Sequence, residues 1–149
     1  YASGPLNLSL AAAALNFSGA SKLKIVNVGA SYDFGTIKPT LIWAQEKRDG
    51  GTSVRAIQIG ATATFGAHLL RASIGDYRKS GGAADANWRK LGLGYAYNLS
   101  KRTMLYASAG FVSNGDGANR AVSAQGMAVP VNTLGHSASG YEIGLRHFF

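Results

Sequence analysis

Cysteine is absent from all 149 residues. That excludes a disulfide framework and any thiolate metal site. A long apolar run is also missing. The nearest, "LSLAAAALNF", is too short and too alanine-rich to cross a bilayer as a helix, which needs about 20 apolar residues. Acidic residues are scarce, 7 against 15 basic ones, for a net charge of +8. Such a balance suits an anionic partner but does not choose among nucleic acid, lipid headgroups and small anions. Mean hydropathy is near zero, which argues against both a disordered chain and a helical membrane protein. The length is enough for one domain with a sizeable core. The chain opens on Tyr1 with no basic leader, and so reads as processed or as a piece of something longer.

Groupings that carry catalysis are thin. His68, His136 and His147 are far apart, and no His, Asp or Glu set has metal-ligand spacing. Asp116 and His136 share one loop, a slender basis for the carboxylate–histidine chemistry some barrels carry at their rim. Gly92-x-Gly94 lacks the third glycine and the helix of a dinucleotide fingerprint. The basic residues are dispersed through alternating segments, not gathered with aromatics on one face, so nucleic-acid binding is not expected. No cofactor or metal is expected. Calcium on loop acids such as Asp49 or Asp116 is compatible with the spacing but not required by it.

What is present is alternation. Twenty glycines, seven tyrosines and six phenylalanines accompany a period of two in eight segments: 6–15, 23–34, 36–47, 54–65, 67–77, 88–99, 102–112 and 139–149. Tight connections alternate with longer ones, the pattern of an up-and-down meander. Most segments run to about 10–13 residues, whereas strands of soluble sheets cluster near 5–6 and a tilted transmembrane strand needs about 9–11. Phe34, Phe65, Tyr95, Tyr97 and Phe149 fall near the tight-turn ends, where an interfacial aromatic girdle belongs. A soluble sandwich or lipocalin-like barrel would also bury the apolar parity. Its outside would then be oddly small and neutral: Gly29, Ser31, Gly60, Thr62, Ser73, Gly75, Gly92, Gly94 and Gly144. The expected fold is therefore all-β, a transmembrane antiparallel up-and-down β-barrel.

Several stretches carry a family likeness. "YASGPLNLSLAAA", "VGASYDFGTIKPTLIWAQ", "LGLGYAYNLSKRTMLYASAGFVSN" and "GYEIGLRHFF" together resemble the general porins of Gram-negative bacteria, in particular the β-proteobacterial branch. The likeness covers nearly the whole chain; only 113–137 is generic. It implies a homotrimer of 16-stranded barrels in the outer membrane, with both termini in the periplasm. Residues 1–149 would be the C-terminal half of one barrel domain, supplying about eight strands. Tyr1 and Ala2 look like the end of a preceding strand. The family's inward-folded constriction loop would lie in the other half.

With the apolar parity turned to lipid, Lys38, Arg55, Arg71, Lys90 and Arg146 are expected to face water, with Glu46 and Glu142 as the main acids beside them. Arg71 and Arg146 are favoured for selectivity by mid-strand depth. The resemblance implies a basic wall at the constriction, hence passive diffusion of small hydrophilic solutes with a preference for anions. A charge that merely avoids lipid would occupy the same parity. Lys22, Lys24, Arg48, Arg78, Lys79 and Arg120 lie in or beside longer loops and are expected to meet lipopolysaccharide phosphates or solvent. Lys101 and Arg102 are expected at a solvated turn. The ending "EIGLRHFF" resembles the pattern by which barrels are recognised for membrane assembly: Glu142, Gly144, His147 and Phe149. The assembly machinery is the partner so implied. Two other readings stay open, a substrate-selective channel of the same fold and a self-contained eight-stranded barrel with a structural, adhesive or enzymatic role.

Overall fold

A computed structural model describes residues 1–16, 22–81, 85–122 and 133–149. Among the described residues there is no helix, and nine strands form one antiparallel sheet in chain order. They are β1 (Ala2–Ser3), β2 (Leu6–Leu15), β3 (Leu23–Tyr32), β4 (Ile37–Arg48), β5 (Ser53–Phe65), β6 (His68–Ser80), β7 (Ala86–Asn98), β8 (Thr103–Asn114) and β9 (Ala138–His147). Each pairs only with its chain neighbours, so the sheet is open from β1 to β9. A self-contained closed barrel is not what these residues build.

Strands β2 to β9 run 10 to 13 residues. At roughly 3.3 Å per residue and a tilt near 45°, such strands rise about 23–30 Å, the height of a bilayer's apolar layer. Several strands outrun their expected bounds at the loop end. β4 reaches Arg48, β6 reaches Ser80 and β8 reaches Asn114, while β7 already starts at Ala86. The expected polar loop over 47–53 therefore shrinks to residues 49–52. The stretch from Ala2 to Ser3 is a ninth, short strand.

Turn chemistry explains the other end. Phe65 pairs with His68 around Gly66-Ala67. Gly66 has φ +58°, which a two-residue hairpin needs at its first central position and which a side chain resists. Asp33 accepts a bond from the Gly35 amide at 2.7 Å, and Ser100 Oγ accepts from the amides of Arg102 and Thr103 at 3.1 Å each, closing two more tight turns.

Register fixes which side chains share a face. One face carries Leu10, Val28, Leu41, Trp43, Ile57, Ile59, Ile74, Leu91, Leu93, Phe111, Ile143 and Leu145, all exposed. At the tight-turn end the same face ends in rings: His68 lies 5.6 Å from Phe65 and 5.0 Å from Tyr97, and shares a 2.8 Å hydrogen bond with the Tyr95 hydroxyl. Tyr32 meets Phe34 at 4.6 Å, and His147 meets Phe149 at 4.8 Å. Amphipathic rings in this position suit a membrane–water interface. The opposite face is small and polar, with Ser9, Asn27, Gly29, Thr40, Gly60, Thr62, Ser73, Gly92, Gly94 and Ser108.

Apart from Ala96, the few buried side chains among the described residues lie towards the loop end of this polar face. Ala86, Trp88 and Ala118 pack together, with Val54 and Tyr77 against them.

Candidate functional site

The polar face lines a trough of about 680 Å³ that runs from Thr40 on β4 to Arg146 on β9. One hydrogen-bonded row crosses it: Lys38, Thr62, Arg71, Gly94, Ser108 and Glu142, on β4 to β9 in turn. Adjacent strands lie about 4.8 Å apart, so Lys38 and Arg71 stand roughly 10 Å apart and Arg71 and Glu142 roughly 14 Å. The intervening residues are small, and nothing on the row fills the space between the charges. Arg146 sits on the same face four residues beyond Glu142, its guanidinium 5.9 Å from the Tyr106 ring. Arg146 is the penultimate residue of β9 and lies near the tight-turn end, not at mid-strand.

Lys90 faces the trough nearer the loops, 5.1 Å above the Tyr77 ring. Tyr77 stacks on Trp88 at 5.5 Å, nearly parallel, and its hydroxyl donates to Gln58 at 3.2 Å. The guanidinium of Arg120 covers the ring of Trp88 at 4.5 Å. Such stacked rings and cations hold each other's orientation as well as contributing attraction.

Arg55 is the exception among the expected water-facing residues. It is opposite Gln45 on β4 and Arg78 on β6, and two residues from Ile57, which places it on the apolar face. It escapes the hydrocarbon because β5 begins at Ser53, so Arg55 lies at the loop end of the band, where the penalty for a cation falls towards zero. Glu46 and Glu142 are on the polar face as expected. Arg48 and Lys79, expected in or beside longer loops, lie beside them, at the loop ends of β4 and β6 and on the polar face. Among the described residues the ion pairs are those of Asp76 with Arg78 (2.9 Å) and Arg89 (3.2 Å), both on the apolar side. Among the described residues, Lys38, Arg71, Lys90 and Arg146 have no acid within salt-bridge distance.

After β8, residues 115–122 turn back towards the polar face, where Val122 lines the trough. Asn114, largely buried, donates from its amide nitrogen to the carbonyls of Arg120 and His136, at 2.7 Å each, and accepts from the Arg120 amide at 3.0 Å. Val122 lies against Gly110 and Gly140, where a Cβ would stand 3.3 Å and 3.0 Å from its methyl and press it aside. This inward limb left no trace in the hydrophobic pattern. Its signal is two glycines level with each other on β8 and β9.

At the tail, Gly144 faces Tyr106. A Cβ at Gly144 would lie 2.5 Å from the tyrosine ring, so the ring fills the space the glycine leaves. Glu142 is opposite Ser108, and His147 is opposite Thr103, sharing a 2.8 Å hydrogen bond with its hydroxyl. The amide of Phe148 donates to the Arg102 carbonyl at 2.9 Å, and Phe149 is fully exposed.

Among the described residues, no three His, Asp or Glu side chains gather as a metal site. Asp49 accepts from the Lys22 amide at 3.4 Å, which braces one loop.

Comparison with known proteins agrees with this architecture. The profile of the Gram-negative porins matches residues 1–117. Outer membrane porin protein 32 of Delftia acidovorans is 32% identical over 159 aligned positions, spanning 100% of this chain and 44% of that protein. The structure of an anion-selective porin from Comamonas acidovorans superposes with a TM-score of 0.85 at 32% identity, covering 100% of this chain and 47% of that one. The chain thus spans less than half the length of the relatives it matches. A sheet of ten-to-thirteen-residue strands, apolar on one side and polar on the other, continues this match in physical terms: the chain belongs to the Gram-negative porins, β-barrel proteins of the outer membrane.

Proposed function

We propose that residues 1–149 form one half, the C-terminal one, of a barrel domain whose polar face lines a water-filled channel. Small hydrophilic solutes pass down their gradients, anions faster than cations, with no covalent chemistry. The observation that carries this reading is the imbalance on the polar face. Lys38, Arg71, Lys90 and Arg146 lie there without acidic partners among the described residues, against Glu46 and Glu142. In a narrow aqueous path with low-dielectric walls such charges raise the local anion concentration. The Comamonas relative is itself called anion-selective, which supports the same sign.

The tight turns then face the periplasm and the longer loops the outside. The working protein is a homotrimer whose outer face meets membrane lipid and lipopolysaccharide. Glu142, Gly144, His147 and Phe149 present the last strand to the barrel assembly machinery. The test is the full-length protein in a planar bilayer under a salt gradient. Stepwise conductance with a reversal potential on the anion side is expected; cation bias would overturn the charge argument.

A further inference from the structure

The polar face is not polar throughout. From β4 to β9, the rows of Thr40 and Thr62 hold only glycine, serine, threonine and charged side chains. The next two rows towards the tight turns break that pattern. Leu69, Ala96 and Tyr106 stand level on β6, β7 and β8, and Met104 follows on β8, opposite Arg146. All four line the trough together with Arg71 and Arg146. Ala96 is buried and the other three are half-buried. Gly144 accounts for where the Tyr106 ring lies, but neither Leu69 nor Met104 belongs to the buried cluster at the loop end. A purely aqueous lining has no use for a leucine, a methionine and a tyrosine ring side by side.

What borders this apolar strip narrows the ligand. Arg71 is two residues from Leu69 on the same strand and face, about 7 Å away along the backbone. Gly94, level with Arg71, leaves the wall bare beside that guanidinium. At the other end Arg146 lies 5.9 Å from the Tyr106 ring. A chloride ion gains nothing from leucine and methionine, and a neutral apolar solute gains little from a guanidinium. A carboxylate on an apolar body uses both. The tyrosine ring and the methionine sulfur favour an aromatic body, through offset stacking and sulfur–ring contact. Glu142, on the same row as Arg71, opposes a second carboxylate on that side. The trough, about 680 Å³, is within the range of about 300–1,000 Å³ usual for small-molecule sites.

We propose that this end of the trough is a subsite for aromatic monocarboxylates. Arg71 takes the carboxylate, to which a guanidinium can donate two parallel, charge-assisted hydrogen bonds. The ring lies across Gly94 and Ala96, against Leu69, Tyr106 and Met104. The proposal rests on the reading of this face as the water side of an anion-preferring channel, and it names a class of solute within that reading.

The experiment uses the full-length protein in detergent, titrated at fixed salt by ligand-observed NMR with benzoate, acetate and benzyl alcohol. Benzoate is expected to bind about tenfold or more tightly than either, since it alone uses both parts of the subsite. Arg71→Gln should remove most of that advantage. Leu69→Ser should weaken benzoate about threefold or more and acetate hardly at all. Leu69→Met keeps the apolar volume and should recover the loss, which excludes misfolding as its cause. Lys101→Ser, at an exposed turn, should leave binding unchanged. Acetate or benzyl alcohol binding as well as benzoate would overturn the proposal. So would an unaffected Leu69→Ser, or no benzoate binding at all, the result if another part of the protein covers the strip. The reversal potential of the wild-type protein keeps the two readings apart. Anion bias without a benzoate preference sinks this proposal alone, and benzoate binding in a cation-biased pore sinks the anion preference alone.

Discussion

Arg71 and Glu142 stand on one row of the inner wall, three strands apart, with only Gly94 and Ser108 between them. Their backbones are roughly 14 Å apart, and no ion pair joins them among the described residues. In the proposed channel each therefore acts on a passing ion separately. Arg71→Glu is expected to move the reversal potential of the full-length channel towards cations, and Glu142→Gln to move it further towards anions. Under a fixed salt gradient, no movement with Arg71→Glu would remove that residue from the selective set.

The two faces should respond oppositely to the same charge. Ile59→Arg enters the outward apolar band and should cost about 2–4 kcal/mol, while Thr62→Arg on the polar face should cost little. Denaturant midpoints for folding into vesicles would measure both. Equal costs would contradict the assignment of faces.

Gly144 and Tyr106 offer a test of packing at the closing strand. Gly144→Ala sets a Cβ into the tyrosine ring and should destabilise by about 1–3 kcal/mol. Tyr106→Ser should restore most of that loss when combined with it, since the obstruction is the ring. Thermal loss of the folded form on a gel would follow the series. If the double variant is no better than Gly144→Ala, the glycine has another purpose, such as the assembly role proposed for the tail.

Asn114 holds the loop after β8 by three hydrogen bonds. Asn114→Ala leaves the groups it served unpaired and should cost about 1–3 kcal/mol. Limited proteolysis between 115 and 137 should quicken while the strands stay protected. Unchanged cleavage would mean that the Arg120–Trp88 contact suffices alone.

Much of this was legible in the sequence, because alternation over ten or more residues specifies both strand and face. The register confirms the lipid-side set from Leu6 to Leu145 and the small polar set opposite. Arg55 was misplaced by reasoning from charge to water. Counting by twos from Ile57 puts it on the outer face; what the count does not show is that β5 continues past the apolar band, where an arginine is tolerated. Exact strand ends, such as those at Arg48 and Ser80, are not legible either, since they depend on pairing with a neighbour and not on local composition. The inward loop was illegible because it is made by side-chain bonds spanning 6 and 22 residues and by room left at Gly110 and Gly140. No periodicity encodes either.

The bonds of Asn114 draw the carbonyls of Arg120 and His136 to one amide on β8. Val122 adds a second anchor against the glycines of β8 and β9. The described ends of this loop are thus tied to the polar face by side-chain bonds and not by strand pairing, so the width of the trough at this end can change through one amide and two glycines while the register of the sheet stays as it is.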